Sequence, residues 1–334
     1  MSSLAGCRKA EPAHAETPHA EPSRTEFLLG TVCSVTLYDQ AEDSIYRDIF
    51  SRIDEIENRM SINISGTDVD RINAAAGVSA VQVHDEVFAV VERALHYAEI
   101  SGGAFDPTVG PLVALWDIAG ENPRVPSHEE IDAVLPLISW RDVELDRDNR
   151  SVFLKRPGMR LDLGAIAKGY AADEAVEIIG NAGLRQAIVD LGGNVLTYGV
   201  KKDLSPWRIG LQNPGDGRGS YVGVVHGAAM TVVTSGDYER FFEEDGIRYH
   251  HIFSPFDGYP ARSSLSAVTI ITASSMDADA LSTAVFVLGY EAGRALVESL
   301  DGVEAVFIFN DKSIRKTAGA NFILSDEDFV LVGD

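Results

Sequence analysis

Asp162-Leu-Gly-Ala-Ile-Ala-Lys-Gly-Tyr-Ala-Ala-Asp-Glu-Ala-Val-Glu-Ile-Ile179, followed by Gln186-Ala-Ile-Val-Asp-Leu191, decides the fold class. The first run predicts a helix from about Ile166 to Ile179, and the second, short and apolar, a strand. A doubly wound protein would continue with another helix and another parallel strand. Here residues 207–234 read instead as short strands, with a glycine-bearing loop at 215–219. Upstream, Val32–Tyr38 alternates like a strand, and 40–43 is a polar turn. Ile45, Ile49, Ile53, Ile56 and Met60 then mark one face of a helix. A second helix is expected over Asp85–Ser101, with Val87, Val91, Leu95 and Ala98 inward and Gly102-Gly103 ending it. Residues 107–136, with several prolines, read as a loop, and 143–154 as a hairpin turning at Asp146–Asn149. Downstream come a helix from near Met276 to Gly289, another over Glu291–Leu300, and strands at Glu304–Phe309 and Phe329–Val332. Helices and strands mix without a βαβ rhythm, so the class is α+β.

The chain has 334 residues, enough for one large domain or two ordinary ones. Lysine and arginine total 28 against 51 acids, a formal charge of −23. Such a surface repels phosphate backbones and anionic membranes, which argues against nucleic-acid binding. An anionic ligand would then need a local device, such as a metal ion or aligned N–H groups. Two cysteines make no disulfide framework. Cys33 reads as a small strand residue. Cys7 ends Leu4-Ala-Gly-Cys7, which resembles a bacterial lipoprotein box, although only Met1-Ser2-Ser3 stand before it. Residues 8–25, rich in Ala, Glu, Pro and His, have the composition of a flexible tether. The expected organisation is a lipoprotein box and tether at 1–25 and a single domain at 26–334. That protein would be periplasmic and lipid-anchored to the inner membrane through Cys7. No other stretch is expected to reach the ~18 apolar residues that span a bilayer.

Several short segments carry chemistry. Gly164 and Gly169 bracket Lys168 where a helix begins, and free N–H groups with a lysine there attract anions. In Ser274-Ser-Met-Asp277-Ala-Asp279-Ala-Leu-Ser-Thr283, Asp279 and Thr283 are four apart on one helical face. A carboxylate and a hydroxyl are hard oxygen donors that suit Mg²⁺, while serine caps and early acids also have a purely structural use. His250-His251 in a strand would point to opposite faces, so one at most serves a given site, and His251 suits a general base. Phe105, in Gly102-Gly-Ala-Phe-Asp-Pro-Thr-Val-Gly-Pro111, suits ring stacking or a plug beneath a loop. Asp190–Asn194 and Thr234–Tyr238 are two more glycine turns.

In this order, with Leu29-Gly-Thr31, Met60-Ser61 and His251–Pro260, the segments resemble the FAD:protein FMN transferase (ApbE-type) family over nearly all of the chain from Glu26. The resemblance implies an α+β, T-fold-related, two-lobed architecture with flavin in the cleft. It implies cleavage of FAD at its pyrophosphate and transfer of FMN to a Ser or Thr of an acceptor protein, with AMP released. Mg²⁺ would be held by Asp279, Thr283 and the Ala165 carbonyl, with Asp277 supporting from behind. FAD would lie against Leu29, Asn63, Ala104, Phe105, Asp106, Asp162, Lys168 and the backbone near Phe253. His251 would activate the incoming hydroxyl, with Asp279 the second catalytic residue.

One departure stands out. Where the family usually carries an aromatic that packs on FAD, this chain has Asn63. Loss of that ring would open the phosphate to water, so Mg²⁺-dependent FAD pyrophosphatase action, giving FMN and AMP, is an alternative. A non-catalytic periplasmic flavin-binding lipoprotein is a third. A carrier needs neither base nor metal, so His251, Asp279 and Thr283 count against it.

Overall fold

A computed structural model describes residues 23–216 and 219–333. The expected lipoprotein box with Cys7, and most of the expected tether, lie outside the described residues. The first strand begins at Ser23, three residues before the expected start of the domain.

Nine strands form the central sheet, in the order Ser23–Leu28, Thr31–Leu37, Gln186–Leu191, Asn194–Gly199, Met230–Gly236, Leu265–Thr272, Glu304–Phe309, Ser313–Lys316, Val330–Leu331. Every neighbouring pair is antiparallel except the last. Seven helices accompany it: α1 (Asp43–Met60), α2 (Asp68–Ala74), α3 (Asp85–Ile100), α4 (Gly110–Trp116), α5 (His128–Val134), α6 (Ala167–Asn181) and α7 (Ser275–Glu298). The mixture is α+β, as the sequence predicts.

The sheet is covered on both faces. In Glu304–Phe309, Ala305 and Phe307 face the core shared with α1, α3, α6 and α7, while Val306 and Ile308 face a second core. A three-stranded sheet of Trp207–Gln212, Tyr221–Gly227 and Phe322–Leu324 closes that second core with Trp207, Leu211, Val225 and Phe322. Burial on both sides erases the in–out alternation by which half-buried strands are recognised. That is why Leu265–Thr272, near the middle of the sheet and buried at four successive residues, has no counterpart among the predicted elements.

Two further expectations are corrected. Residues 107–136 contain α4 and α5, the latter begun by a capping box of Ser127 and Glu130. These helices pack as a satellite cluster, in which Leu112, Trp116 and Ile131 meet Tyr249 and Phe253. The two helices expected on either side of Gly289 are both present, as the two arms of α7, interrupted where Gly289 takes φ 73° and ψ −175°, outside the helical region. Finally, α7 is long and apolar enough to cross a membrane, although no such stretch was expected. It is a core helix: Leu281, Ala284, Val285 and Phe286 are buried between the sheet and α6. Cys33 is fully buried, and desolvation pushes its thiol up to about 11, so it is an unreactive packing residue.

Candidate active site

The site gathers at the first turns of α6 and α7. Leu163 accepts from the N–H groups of Ile166 (3.0 Å) and Ala167 (2.8 Å), forming the turn that starts α6. Gly169 has no room for a side chain, since a Cβ there would lie 2.2 Å from the Ser275 carbonyl oxygen. The two helix starts therefore approach backbone to backbone. Asp173 on α6 tightens this contact by accepting from the N–H groups of Ser275 (2.8 Å) and Met276 (2.9 Å) at the head of α7.

Asp279, 4% exposed, comes from α7 into this junction. Its Oδ2 accepts the Gly169 N–H at 3.0 Å, and Lys168 Nζ lies 3.3 Å from Oδ1 while also donating to the Gly164 carbonyl at 2.9 Å. In an unbroken helix Gly169 would donate to the carbonyl of Ala165 four residues back. Because that N–H turns to Asp279, no hydrogen bond from a described residue reaches the Ala165 carbonyl. Thr283, half-buried one turn along α7, makes no side-chain hydrogen bond to a described residue. One carboxylate and two unclaimed neutral oxygens form a hard donor set that fits a cation such as Mg²⁺, which draws its remaining ligands from water and phosphate. No cluster of three or more His, Cys, Asp or Glu residues suited to a metal occurs among the described residues. Asp277 is turned elsewhere: both its oxygens take Arg93 at 2.7 Å, bracing α3 against α7.

Asp162 begins the same segment. Its N–H donates to the Pro107 carbonyl (2.8 Å), which ties the 103–111 loop to the head of α6. Its Oδ1 accepts from Gly164 (2.8 Å), and burial raises its carboxyl above the ordinary range against the pull of Lys168, Arg160 and Arg240. Ala104, Phe105 and Asp106 are buried. Phe105 packs in the main core, and Asp106 holds its own loop, accepting from Thr108 N–H, Thr108 Oγ1 and Trp140 N–H. Phe253 packs at a tilt against Trp116 in the satellite cluster.

The two histidines diverge as their spacing predicts. His250 is buried, with Nε2 at 2.9 Å from the Ala261 carbonyl and its ring edge-on to Phe286. His251 places Nδ1 3.2 Å from the Arg240 carbonyl. A carbonyl only accepts, so Nδ1 carries the proton and Nε2 keeps its lone pair. Burial, then the Arg240 charge, push His251 down to about 3, so the ring is neutral at pH 7.

Asn63 is exposed and lines an open cleft of about 450 Å³ with Gly30, Ile118, Ala119, Glu239, Arg240 and Phe241. Leu29, at φ 53°, sits in the left-handed region within the tight turn between the first two strands. Its N–H is held by Glu57 Oε2 at 2.8 Å. The structure thus joins Asp162, Ala165, Lys168, Asp279 and Thr283 at one junction, and the field of Lys168 reaches His251. Asn63 lines the cleft and Leu29 only precedes its Gly30, while the Phe105 and Phe253 side chains face two different cores. Sequence reasoning missed Arg240 and Glu57. The only trace of the first is its place two residues after the Thr234–Tyr238 turn.

The ApbE family profile matches residues 29–307. A FAD:protein FMN transferase of Treponema pallidum is 41% identical over 317 residues, covering 90% of this chain and 87% of that protein. One from Klebsiella pneumoniae is 37% identical, covering 87% and 90%. The crystal structure of the ApbE protein of Thermotoga maritima superposes with a TM-score of 0.81 at 36% identity, covering 89% of this chain and 97% of that one. The apo flavinyl transferase ApbE of Pseudomonas stutzeri gives 0.76 at 32% identity, covering 91% and 93%. With the profile spanning most of the chain and both folds superposing nearly end to end, the protein belongs to the ApbE family.

Proposed function

We propose that the protein is a Mg²⁺-dependent FAD:protein FMN transferase, which moves the FMN phosphoryl of FAD to a Ser or Thr hydroxyl of an acceptor protein and releases AMP. The observation that carries this reading is the junction where Lys168 and the hydrogen-bonded Asp279 meet, with neutral His251 within reach of the Lys168 field. Asp279, Thr283 and the Ala165 carbonyl would hold Mg²⁺, which supplies Lewis-acid polarisation of the phosphoryl group. His251 Nε2 takes the hydroxyl proton as the acceptor oxygen bonds to the FMN phosphorus. The bond from that phosphorus to the bridging oxygen breaks, and its electron pair leaves with AMP. Lys168 offsets charge on the phosphoryl oxygens. In a protein of charge −23, this local cation is what lets a diphosphate approach.

Exposed Asn63 favours a second reading of the same site, the hydrolysis of FAD to FMN and AMP, since no ring at that position covers the cleft. Incubation with FAD and Mg²⁺, with and without an acceptor, separates the outcomes. Labelled acceptor supports transfer, FMN and AMP without acceptor support hydrolysis, and unchanged FAD defeats both.

We also propose a periplasmic location, with Cys7 lipid-anchored to the inner membrane, supported by Leu4-Ala-Gly-Cys7 and the polar stretch behind it. When a full signal peptide is supplied, wild type should partition into detergent and Cys7→Ser should not. Equal partitioning would overturn the anchor.

A further inference from the structure

We propose that Arg240 reads the phosphates of FAD from the Asn63 side of the cleft, as a second cation opposite Lys168; this deepens the transferase reading and rests on it. The side chain lies along the cleft wall with Asn63 and Gly30. A guanidinium has five N–H donors in a planar fork that matches phosphate oxygens. Arg240 gives one of them to protein, from Nη2 to the Gly30 carbonyl at 3.1 Å. Among the described residues it has no carboxylate within salt-bridge distance. In a chain with 51 acids and 28 bases that is informative. Arg52 meets Glu55, Glu86 and Glu174, and Arg93 is gripped by both oxygens of Asp277. Glu239 lines the same cleft without pairing with it, and an arginine with four donors that no described residue takes is available to an anion.

The electrostatics extend the argument. The Arg240 charge is felt at both Asp162 and His251, and so is that of Lys168. Lys168 is partly neutralised by Asp279, whereas Arg240 is not. A diphosphate carries charge on two phosphorus centres, and two separated cations match it better than one. The main chain of Arg240 adds a second link, because its carbonyl accepts from His251 through N–H (3.1 Å) and Nδ1 (3.2 Å). The residue that reads the phosphates is therefore also the one that fixes the tautomer of the base.

The test is equilibrium binding of FAD and of riboflavin, which lacks phosphate, to the full chain in EDTA. Three proteins are compared: wild type, Arg240→Met and Arg240→Lys. Arg240→Met keeps the apolar stem and leaves the backbone grip on His251 in place. FAD should bind it about 10- to 100-fold more weakly, the range for one or two charge-assisted hydrogen bonds. Riboflavin affinity should not change, and Arg240→Lys should fall between. The FAD affinity of wild type should also drop more steeply with salt than that of Arg240→Met. Unchanged FAD affinity, or equal loss for riboflavin, overturns the proposal, the latter by making Arg240 a purely structural residue. Wild type that binds FAD yet neither labels an acceptor nor releases AMP would sink the transferase reading alone, because the binding comparison stands without turnover.

Discussion

The amide of Gly169 donates to the carboxylate of Asp279 across 3.0 Å, joining the first turns of two helices that are 110 residues apart in sequence. Two conditions allow it. Gly169 has no Cβ to meet the Ser275 carbonyl, and its amide is free because it lies in the first turn of α6. The carboxylate is consequently held on one side, with Oδ1 toward Lys168.

Gly169→Ala should spread the two helices. A methyl group pressed into backbone that cannot rotate away costs about 1–3 kcal/mol, the range for overpacking. Urea denaturation should show that loss, and turnover should fall further than stability does because the Asp279 carboxylate is displaced. A variant equal to wild type in both would mean the helices are not held at this contact.

Asp279→Asn keeps an oxygen to accept the Gly169 amide but removes the charge. Several kcal/mol is the usual scale for a Lewis-acid metal, which at about 1.4 kcal/mol per tenfold is on the order of 10²-fold or more. Turnover of FAD in Mg²⁺ should drop by that order, with riboflavin affinity held. Wild-type rates in this variant would dismiss Asp279 as a metal ligand.

The pH profile follows from His251. Burial and the Arg240 charge both disfavour the imidazolium, so the folded pKa lies near 3, below the ordinary 6.5. The active form is the neutral base, so activity is lost only as pH falls through the folded value. At saturating Mg²⁺, kcat/KM for FAD should show no acid limb centred near 6.5. A limb there that disappears in His251→Ala would contradict the neutral, cation-flanked imidazole.

Asn63→Tyr should restore a ring to the cleft. Base–aromatic stacking is worth about 1–3 kcal/mol, or roughly five- to a hundredfold in affinity. Tighter ground-state binding does not speed chemistry. FAD should therefore bind more tightly and AMP release without acceptor should slow, while transfer suffers less. Unchanged affinity together with unchanged AMP release would remove Asn63 from the nucleotide contact.

What the sequence revealed follows a physical pattern. Gln186–Leu191 and Glu304–Phe309 were placed to the residue because turn residues bound each apolar run. The interruption at Gly289 was legible because glycine is the residue that tolerates φ 73°. Leu265–Thr272 was not, since a strand covered on both faces has no period of two. Helices α4 and α5 hid behind prolines, although Pro111 stands at the start of α4, where a missing N–H costs nothing. The site divided in the same way. Lys168, Asp279 and Thr283 belong to segments with local signatures, whereas Arg240 has its meaning only through Gly30, 210 residues away.

His250 and His251 show what a shared anchor does to motion. The buried ring of His250 rests edge-on against Phe286, which lies on the same helix as Asp279 and Thr283. The neighbouring ring supplies the lone pair in the proposed transfer. Base and carboxylate are thus linked through one ring contact on α7, so a displacement of that helix would reach both. The turn at Leu29 and Gly30 belongs to the same linkage, because Gly30 accepts from Arg240, whose carbonyl in turn holds His251.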